Sequence, residues 1–191
     1  GLSRIATQML KFHRDSNRPA EYSLGATLTE ALDFHRAQAM KQGVTIQQDI
    51  EIEGKMVGYK GEMIQVITNL LVNALEATPS GGRIRVHLAP SPGWSHQVHT
   101  RCGYYISIAD NGRGIDSEDQ ERIFEPFFTT KGDRGTGLGL WVCRGIVNRA
   151  GGSMRVRSTQ REGRSGTCIL IFLPAEAPAS EKRGRRRYEV A

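Results

Sequence analysis

The sequence lacks a long apolar run. Of its 191 residues, 38% are apolar and 24% are charged, and no stretch approaches the roughly 18 to 20 apolar residues that a membrane-spanning helix requires. No signal-peptide pattern opens it. These absences exclude a membrane segment in this chain, and the composition is typical of one soluble globular domain with a substantial core.

Cysteine is also scarce. The chain contains Cys102, Cys143 and Cys168, an odd number with no C-x-x-C pair. This pattern argues against a disulfide framework and favours a reducing, intracellular setting. We therefore expect a cytoplasmic location, while the sequence leaves open whether a parent protein is anchored in a membrane.

Positive charge is in excess mainly at one end. The formal net charge is +6, and much of it lies in EKRGRRRYEV at residues 181–190. A short basic end is usually solvated and disordered, although it can also meet an anionic partner. We predict a basic, disordered tail at residues 176–191 and no nucleic-acid partner.

Four stretches have helical periodicity. The opening GLSRIATQMLKFHRD spaces its apolar residues three and four apart until Pro19 interrupts the pattern, and a second helix is predicted over residues 24–42, before Gly43. The strongest pattern spans residues 61–77, and a last helix is expected over 138–150.

Strands are predicted between and after these helices. VTIQQDIEI alternates, KMVGYK is a shorter candidate, and GGRIRVHLA and GYYISIAD flank an irregular PSPGWSHQVHTRC. GSMRVRS and GTCILIFLP complete the set. Because helices and strands are mixed without strict βαβ alternation, the predicted fold class is α+β, with a mostly antiparallel sheet backed by helices.

The helix at residues 61–77 contains two asparagines one turn apart, Asn69 and Asn73. Asparagine is a mediocre helix former, so the pair needs a reason. One reading is a polar stripe that faces solvent. The other is that neutral amide oxygens coordinate a hard cation such as Mg²⁺ without adding negative charge beside phosphates.

Two glycine-rich stretches suggest a nucleotide. DNGRGID begins with Asp110 at the end of a predicted strand, and its glycines would let a ligand approach the backbone closely. A carboxylate only accepts hydrogen bonds, so Asp110 would suit the amino group of adenine. GTGLGL at residues 135–140 opens into a helix, whose N-terminus would suit phosphates. Each stretch taken alone is also compatible with an ordinary turn.

Together with FEPFFTTK, these segments resemble a known family. NLLVNALEA, DNGRGI, FEPFFTTK and GTGLGL are similar, in order, to the N, first glycine, F and second glycine boxes of sensor histidine kinases. The resemblance covers residues 19–174. It implies a Bergerat ATP-binding fold, which is a two-layer sandwich of a mostly antiparallel mixed sheet and a layer of helices, shared with type II topoisomerase, mismatch-repair and chaperone ATPases.

The resemblance also implies roles for individual residues. Asn73 would be the Mg²⁺ ligand, Asp110 would bind adenine, and residues 116–134 would form a mobile lid over ATP, in which Phe127 and Phe128 anchor the lid and Lys131 reaches the phosphates. Asn69, Asn73 and Lys131 would be catalytic. The full set expected to bind the nucleotide is Asn69, Asn73, Ala77, Asp110, Gly112, Gly114, Ile115, Phe127, Lys131, Gly135, Thr136, Gly137, Leu138, Gly139, Leu140 and Thr167.

Other readings of the sequence are weaker. The chain has no G-x-x-x-x-G-K-[ST] motif, and HRDSN at residues 13–17 has the wrong spacing for a protein-kinase catalytic loop. His96, His99 and Cys102 are three apart and could be imagined as metal ligands, but they lie in a loop flanked by proline and glycine. Trp141 is predicted to be a core residue.

None of the five histidines has the sequence context of a phosphoacceptor in that family. Residues 1–18 instead resemble the end of the second helix of a dimerisation hairpin. The predicted organisation is therefore this helix end at 1–18, a catalytic ATP-binding domain at 19–175 and the tail at 176–191.

The expected function is transfer of the γ-phosphoryl of ATP to a histidine on a dimerisation domain absent from this chain, with a response regulator receiver domain as an indirect partner. Two alternatives stay open. One is a nucleotide-binding pseudokinase that serves as an interaction module. The other is an ATP-hydrolysing relative, which would carry Glu at the position of Asn69.

Overall fold

The computed structural model describes residues 18–91, 94–95, 98–99, 102–132 and 135–175. The helices are α1 (Leu24–Lys41), α2 (Lys60–Ala77) and α3 (Gly139–Arg149), with a 3₁₀ turn at Arg122–Phe124. The strands are β1 (Ala20–Ser23), β2 (Thr45–Ile50), β3 (Lys55–Gly58), β4 (Arg83–Ser91), β5 (Trp94–Ser95), β6 (Val98–His99), β7 (Gly103–Asp110), β8 (Ser153–Thr159) and β9 (Gly166–Pro174). The predictions for residues 1–17 and 176–191 fall outside the described residues.

The main sheet has five strands in the order β2-β4-β7-β9-β8. β2 and β4 are parallel, and the other three pairings are antiparallel. The helices form a second layer, because α2 packs against α1, α3 and β7. The predicted α+β class and the mostly antiparallel mixed sheet are confirmed.

The core lies between the sheet and the helices because each element is apolar on one side. On the sheet, alternate residues such as Ile84 and Val86 of β4 and Ile106 and Ile108 of β7 are buried, as the two-residue period of a strand requires. On α2 the buried residues recur at helical spacing: Met63, Ile64, Val66, Ile67, Leu70, Leu71, Ala74 and Leu75. The other side of α2 is thereby left for polar residues.

The helix ends follow local chemistry. Ser23 caps α1, because its side-chain oxygen accepts a hydrogen bond from the amide of Ala26 at 3.1 Å. After α1 the chain turns at Gly43, whose φ of +68° suits a residue without a Cβ. At each end of α1, α2 and α3, the observed bound lies within one residue of the predicted bound.

Two short strand pairings were not predicted. β1 pairs antiparallel with β3, from Ala20 opposite Gly58 to Ser23 opposite Lys55. β5 and β6 pair within the stretch that the sequence marks as irregular. Of these strands, β3 was predicted as the short candidate KMVGYK, whereas β1, β5 and β6 were not predicted; all four have four residues or fewer.

The expectation that Trp141 is a core residue is wrong. Its side chain is 49% exposed, because it lies on the solvent side of α3, while Cys143, Ile146 and Val147 supply the buried side of that helix. The side chains of His96 and His99 lie outside the described residues, so the metal-ligand reading of that loop stays untested.

Within the part of the chain that the structure describes, no helix combines the length and the hydrophobicity needed to cross a bilayer.

Candidate functional site

Asp110 lies at the end of β7, directly opposite Thr167 of β9. Its Oδ1 accepts hydrogen bonds from the amide of Gly112 at 2.8 Å and from the amide of Thr167 at 3.3 Å. Both bonds fix the carboxylate and both go to the same oxygen. The second oxygen, Oδ2, can therefore accept a hydrogen bond from a ligand.

The carboxylate of Asp110 is partly buried, which changes its pKa and its affinity for hydrogen-bond donors. Burial raises the pKa of Asp110, and the two backbone hydrogen bonds from Gly112 and Thr167 oppose this shift. A partly desolvated carboxylate gains more from a ligand N–H group than an exposed one would. The site thus favours a ligand that presents hydrogen-bond donors here.

Asn69 and Asn73 lie on the polar side of α2, as the helical spacing predicts. The side-chain Nδ2 of Asn69 donates to the carbonyl of Gly139 at 3.4 Å and lies 3.5 Å from Sγ of Cys143. A carbonyl only accepts, so the amide nitrogen of Asn69 must be the atom that faces α3. Asn69 therefore joins α2 to the first turn of α3.

Asn73 faces a cationic group. Its Oδ1 accepts from Nζ of Lys131 at 2.7 Å, and the same ammonium pairs with the carboxylate of Glu76. An amide oxygen and a carboxylate that hold an ammonium between them also have the hard oxygen chemistry that Mg²⁺ prefers. The donor set around Asn73 therefore fits a divalent cation.

The first glycine loop lies close against the end of α2. A Cβ added to Gly112 would lie 2.4 Å from the carbonyl oxygen of Ala77, and that carbonyl accepts from the amide of Arg113 at 3.2 Å. At Gly114 φ is +73°, and an added Cβ would lie 2.1 Å from the carbonyl oxygen of Thr159. Glycine at both positions lets the loop pass between α2 and β8.

The second glycine stretch leads into α3. Gly137 has a φ of +65°, and an added Cβ there would lie 2.3 Å from the backbone of Phe127. Leu138 precedes α3 and makes no side-chain cap, and its own amide lies 3.5 Å from Oγ1 of Thr136. The first-turn amides of α3 are therefore available to an anion.

Between the glycine loops, the anchoring of residues 116–134 differs from the expectation. Phe127 is 75% exposed with a φ of +66°, so it does not anchor this segment. Ile123 and Phe124 are buried instead, and the guanidinium of Arg144 lies over the Phe124 ring. Phe128 is half-buried and stacks with Arg122 at 4.4 Å. Residues 133–134 lie outside the described residues.

A cavity of about 1450 Å³ brings the expected residues together. Its wall includes thirteen of them: Asn69, Asn73, Ala77, Asp110, Gly114, Ile115, Lys131, Gly135, Thr136, Gly137, Gly139, Leu140 and Thr167. Gly112, Phe127 and Leu138 are not on this wall. The volume exceeds that of an ordinary small-molecule site, because the cavity continues along α1 past Phe34 and His35.

Three further residues contribute to this site and were not predicted from the sequence. Glu76 forms an ion pair with Lys131. The side chain of Gln120 donates hydrogen bonds to the carbonyls of Ile115 and Ser158. The hydroxyl oxygen of Ser158 accepts a hydrogen bond from the amide of Ile115 at 2.8 Å. Glu76 was visible in the polar stripe of the helix. Ser158 was not, because its closeness to Thr167 depends on the register of β8 and β9.

The geometry can be compared with known proteins. A family model described as histidine kinase-, DNA gyrase B- and HSP90-like ATPase matches residues 58–177. The chain belongs to this family. The match includes α2, both glycine stretches and the last two strands of the sheet.

Individual relatives are named as kinases. The chain is 33% identical over 175 residues to the signal transduction histidine-protein kinase AtoS of Escherichia coli, covering 91% of this chain and 27% of AtoS. It is 40% identical over 118 residues to sporulation kinase D of Bacillus subtilis, covering 62% of this chain and 21% of that kinase. The chain thus spans about a quarter of these relatives and is homologous to the catalytic domains of two-component sensor histidine kinases.

Solved structures agree with this assignment. A nucleotide-free catalytic domain of histidine kinase ThkA superimposes with a TM-score of 0.70 at 28% identity, covering 83% of this chain and 96% of that domain. ThkA in complex with the response regulator protein TrrA superimposes with a TM-score of 0.68 at 25% identity, covering 95% of this chain and 49% of that chain.

Proposed function

We propose that this chain binds ATP with Mg²⁺ and delivers the γ-phosphoryl group to a histidine on a separate dimerisation domain. Residues 19–175 would form the catalytic domain, and a response regulator receiver domain would take the phosphoryl group from that histidine. The homology with histidine-protein kinases supports the class of reaction. The arrangement of the cavity supports the substrate.

One observation carries the proposal. The cavity has an acceptor-only carboxylate, Asp110, at one place and the Asn73–Lys131 pair at another, and the first turn of α3 lines the same cavity through Gly139 and Leu140. These groups suit adenine, a metal-bound phosphate chain and anionic oxygens, respectively. A nucleoside triphosphate is a ligand that has all three chemistries.

The transfer itself needs little covalent help from the protein. The bond between the γ-phosphorus and its bridging oxygen breaks, a bond from that phosphorus to an imidazole nitrogen forms, and ADP leaves. Catalysis therefore rests on position and charge neutralisation. Asn73 would hold Mg²⁺, which neutralises phosphate charge when bound, and Lys131 would contribute its ammonium once it leaves Glu76.

A phosphotransfer assay tests this function. The chain would be mixed with radiolabelled ATP, Mg²⁺ and a histidine-bearing dimerisation domain, and acid-labile label on that domain would be counted. Asn73→Ala should abolish the transfer. Asn148→Ala, on the exposed side of α3, is the matched control and should transfer label as the unmodified chain does.

The outcomes separate the alternatives. Tight ATP binding without any transfer to cognate histidine domains would favour a nucleotide-binding pseudokinase. Fast hydrolysis without a partner would favour an ATPase. Absence of ATP binding in a calorimetric titration would reject the proposal at its first step.

A further inference from the structure

Three neighbouring strands end in a row of polar side chains. Asp110 of β7 lies opposite Thr167 of β9, and Thr167 lies opposite Ser158 of β8. All three side chains are on the helix side of the sheet, because they continue the alternation of core residues such as Ile108 and Ile169. The row therefore runs from the cavity wall at Asp110 and Thr167 to Ser158 behind it.

Ser158 makes three contacts through one oxygen. Its Oγ lies 2.8 Å from the amide of Ile115, 2.8 Å from the carbonyl oxygen of Gly166 and 2.8 Å from Oγ1 of Thr167. The amide can only donate, and the carbonyl can only accept. The serine hydroxyl has a single proton to give.

This inventory fixes the direction of the contact with Thr167. If Ser158 donates its proton to the carbonyl of Gly166, the Ser158–Thr167 contact is a hydrogen bond only when Thr167 supplies the proton. It is the one assignment in which all three contacts are hydrogen bonds. Oγ1 of Thr167 then presents only lone pairs to the cavity, beside the acceptor-only Asp110.

We propose that Ser158 is a positioning residue for base selection, which holds the hydroxyl of Thr167 as an acceptor so that the Asp110–Thr167 pair selects a purine with an amino group at C6. The inference rests on the proposed binding of ATP. Inosine triphosphate carries a carbonyl at C6 and a proton on N1, where ATP has an amino group and an unprotonated N1. Its C6 carbonyl would lie opposite two acceptors, which is unfavourable.

Ser158→Ala is the decisive variant. Without the serine oxygen, the hydroxyl of Thr167 can rotate and donate to a carbonyl, so inosine triphosphate should gain relative to ATP. The measured quantity is the dissociation constant of inosine triphosphate divided by that of ATP, determined by calorimetry with the full chain. We expect this ratio to fall by about threefold to tenfold. Ser153→Ala, the same change at an exposed position on β8, should leave the ratio unchanged.

Two further variants separate positioning from a structural role. Ser158→Thr keeps the hydroxyl and should keep the ratio of the unmodified chain. Thr167→Val removes the hydroxyl on which Ser158 acts, so adding Ser158→Ala to it should cause no further change in the ratio. Ser158→Cys is a second variant in case Ser158→Ala impairs folding. Cysteine is close in size to serine and is a weaker hydrogen-bonding group, so this variant should also reduce the ratio.

Three outcomes would count against a positioning role for Ser158 or against nucleotide binding itself. A loss of ATP and inosine triphosphate affinity by the same factor in Ser158→Ala and Ser158→Cys would overturn the proposal and leave Ser158 with a structural role. A reduced ratio in Ser158→Thr would also contradict it. Failure of the unmodified chain to bind ATP would instead reject the proposed function, before any variant is compared.

Discussion

At the scale of single residues, Asp110 offers the cavity an atom that accepts and cannot donate. Guanine presents a carbonyl where adenine presents an amino group, so GTP would leave a partly buried carboxylate facing another acceptor. The cost is about 1–3 kcal/mol, and we expect ATP to bind at least about tenfold more tightly than GTP. Equal affinities in calorimetry would remove Asp110 from this role.

Replacing Asp110 tests the same contact from the protein side. Asp110→Asn keeps the shape of the side chain, but its amide either turns an NH₂ group toward the base or loses the bonds from Gly112 and Thr167. ATP binding should weaken sharply while thermal unfolding shows an intact fold. Asp33→Asn, on the exposed surface of α1, should leave ATP binding unchanged.

His35 gives a prediction about stability and pH. It is 3% exposed, and among the described residues neither ring nitrogen makes a hydrogen bond of good geometry. Burial lowers the pKa of His35, and a weak interaction with the side chain of Gln38, which falls short of good hydrogen-bond geometry, partly opposes this effect. A histidine whose pKa is lower in the folded state binds its proton more readily in the unfolded state. Its neutral form therefore supports folding above the unfolded-state pKa, and stability is lost as pH falls through that value toward the lower folded-state pKa.

His35→Leu removes both the unpartnered nitrogens and this titration. We expect the variant to be as stable as the unmodified chain or more stable by about 1 kcal/mol near neutral pH, with a gain that grows as pH falls from about 7 to 5. Urea unfolding at several pH values measures this. A gain independent of pH would show that His35 is not protonated on unfolding.

At the scale of elements, α2 carries Asn73, the residue proposed to hold Mg²⁺, and packs on the sheet. Asn73 lies on the polar side of this helix, whereas the carboxylate that would bind adenine lies at the end of β7. We therefore expect Asn73→Ala to lose the dependence of ATP affinity on Mg²⁺ while keeping affinity for adenosine. Calorimetry with and without Mg²⁺ measures both quantities. Loss of adenosine binding would mean that the substitution disturbs the whole cavity.

The segment between the glycine loops behaves as two parts in the structure. Ile123 and Phe124 are buried, and the amide of Ile123 donates to the carbonyl of Asp119 at 3.0 Å. Residues 126–131 hold the exposed Phe127, and Lys131 reaches α2 through Asn73 and Glu76. Without nucleotide, amide exchange should be faster over 126–132 than at Ile123. Equal protection across the segment would contradict a mobile lid.

The elements also show what the sequence can predict. Helices α1, α2 and α3 were placed closely because helical periodicity repeats over eleven residues or more. β1 was missed because its four residues are exposed or half-buried and give no alternation to recognise. Asp110, Asn73 and Lys131, which the motifs assign to one site, line the same cavity, and their roles stay predictions. Ser158 and the exposure of Phe127 depend on strand register and tertiary packing, which a motif does not encode.

At the scale of the whole molecule, the chain holds groups that suit ATP but no evident destination for the phosphoryl group. None of the five histidines has the context of a phosphoacceptor, and the described histidines His35 and His87 lie in the core and beside Glu51, respectively. Asn69 uses its amide to hold α3 and cannot deprotonate a water molecule as glutamate would. The two routes for the γ-phosphoryl group, to histidine and to water, are thus both disfavoured.

We therefore expect the isolated chain to bind ATP but to consume almost none of it. Labelled ATP should leave close to no acid-labile phosphate on the chain, and hydrolysis should stay near the background rate. Adding a histidine-bearing dimerisation domain should restore transfer, with the label on that domain. Efficient labelling of the isolated chain would show that one of its own histidines is an acceptor, whereas rapid steady hydrolysis would show that water is activated without a glutamate at position 69. Either result would revise the chemistry, but neither would affect the fold, which depends on the packed sheet and helices rather than on the fate of the phosphoryl group.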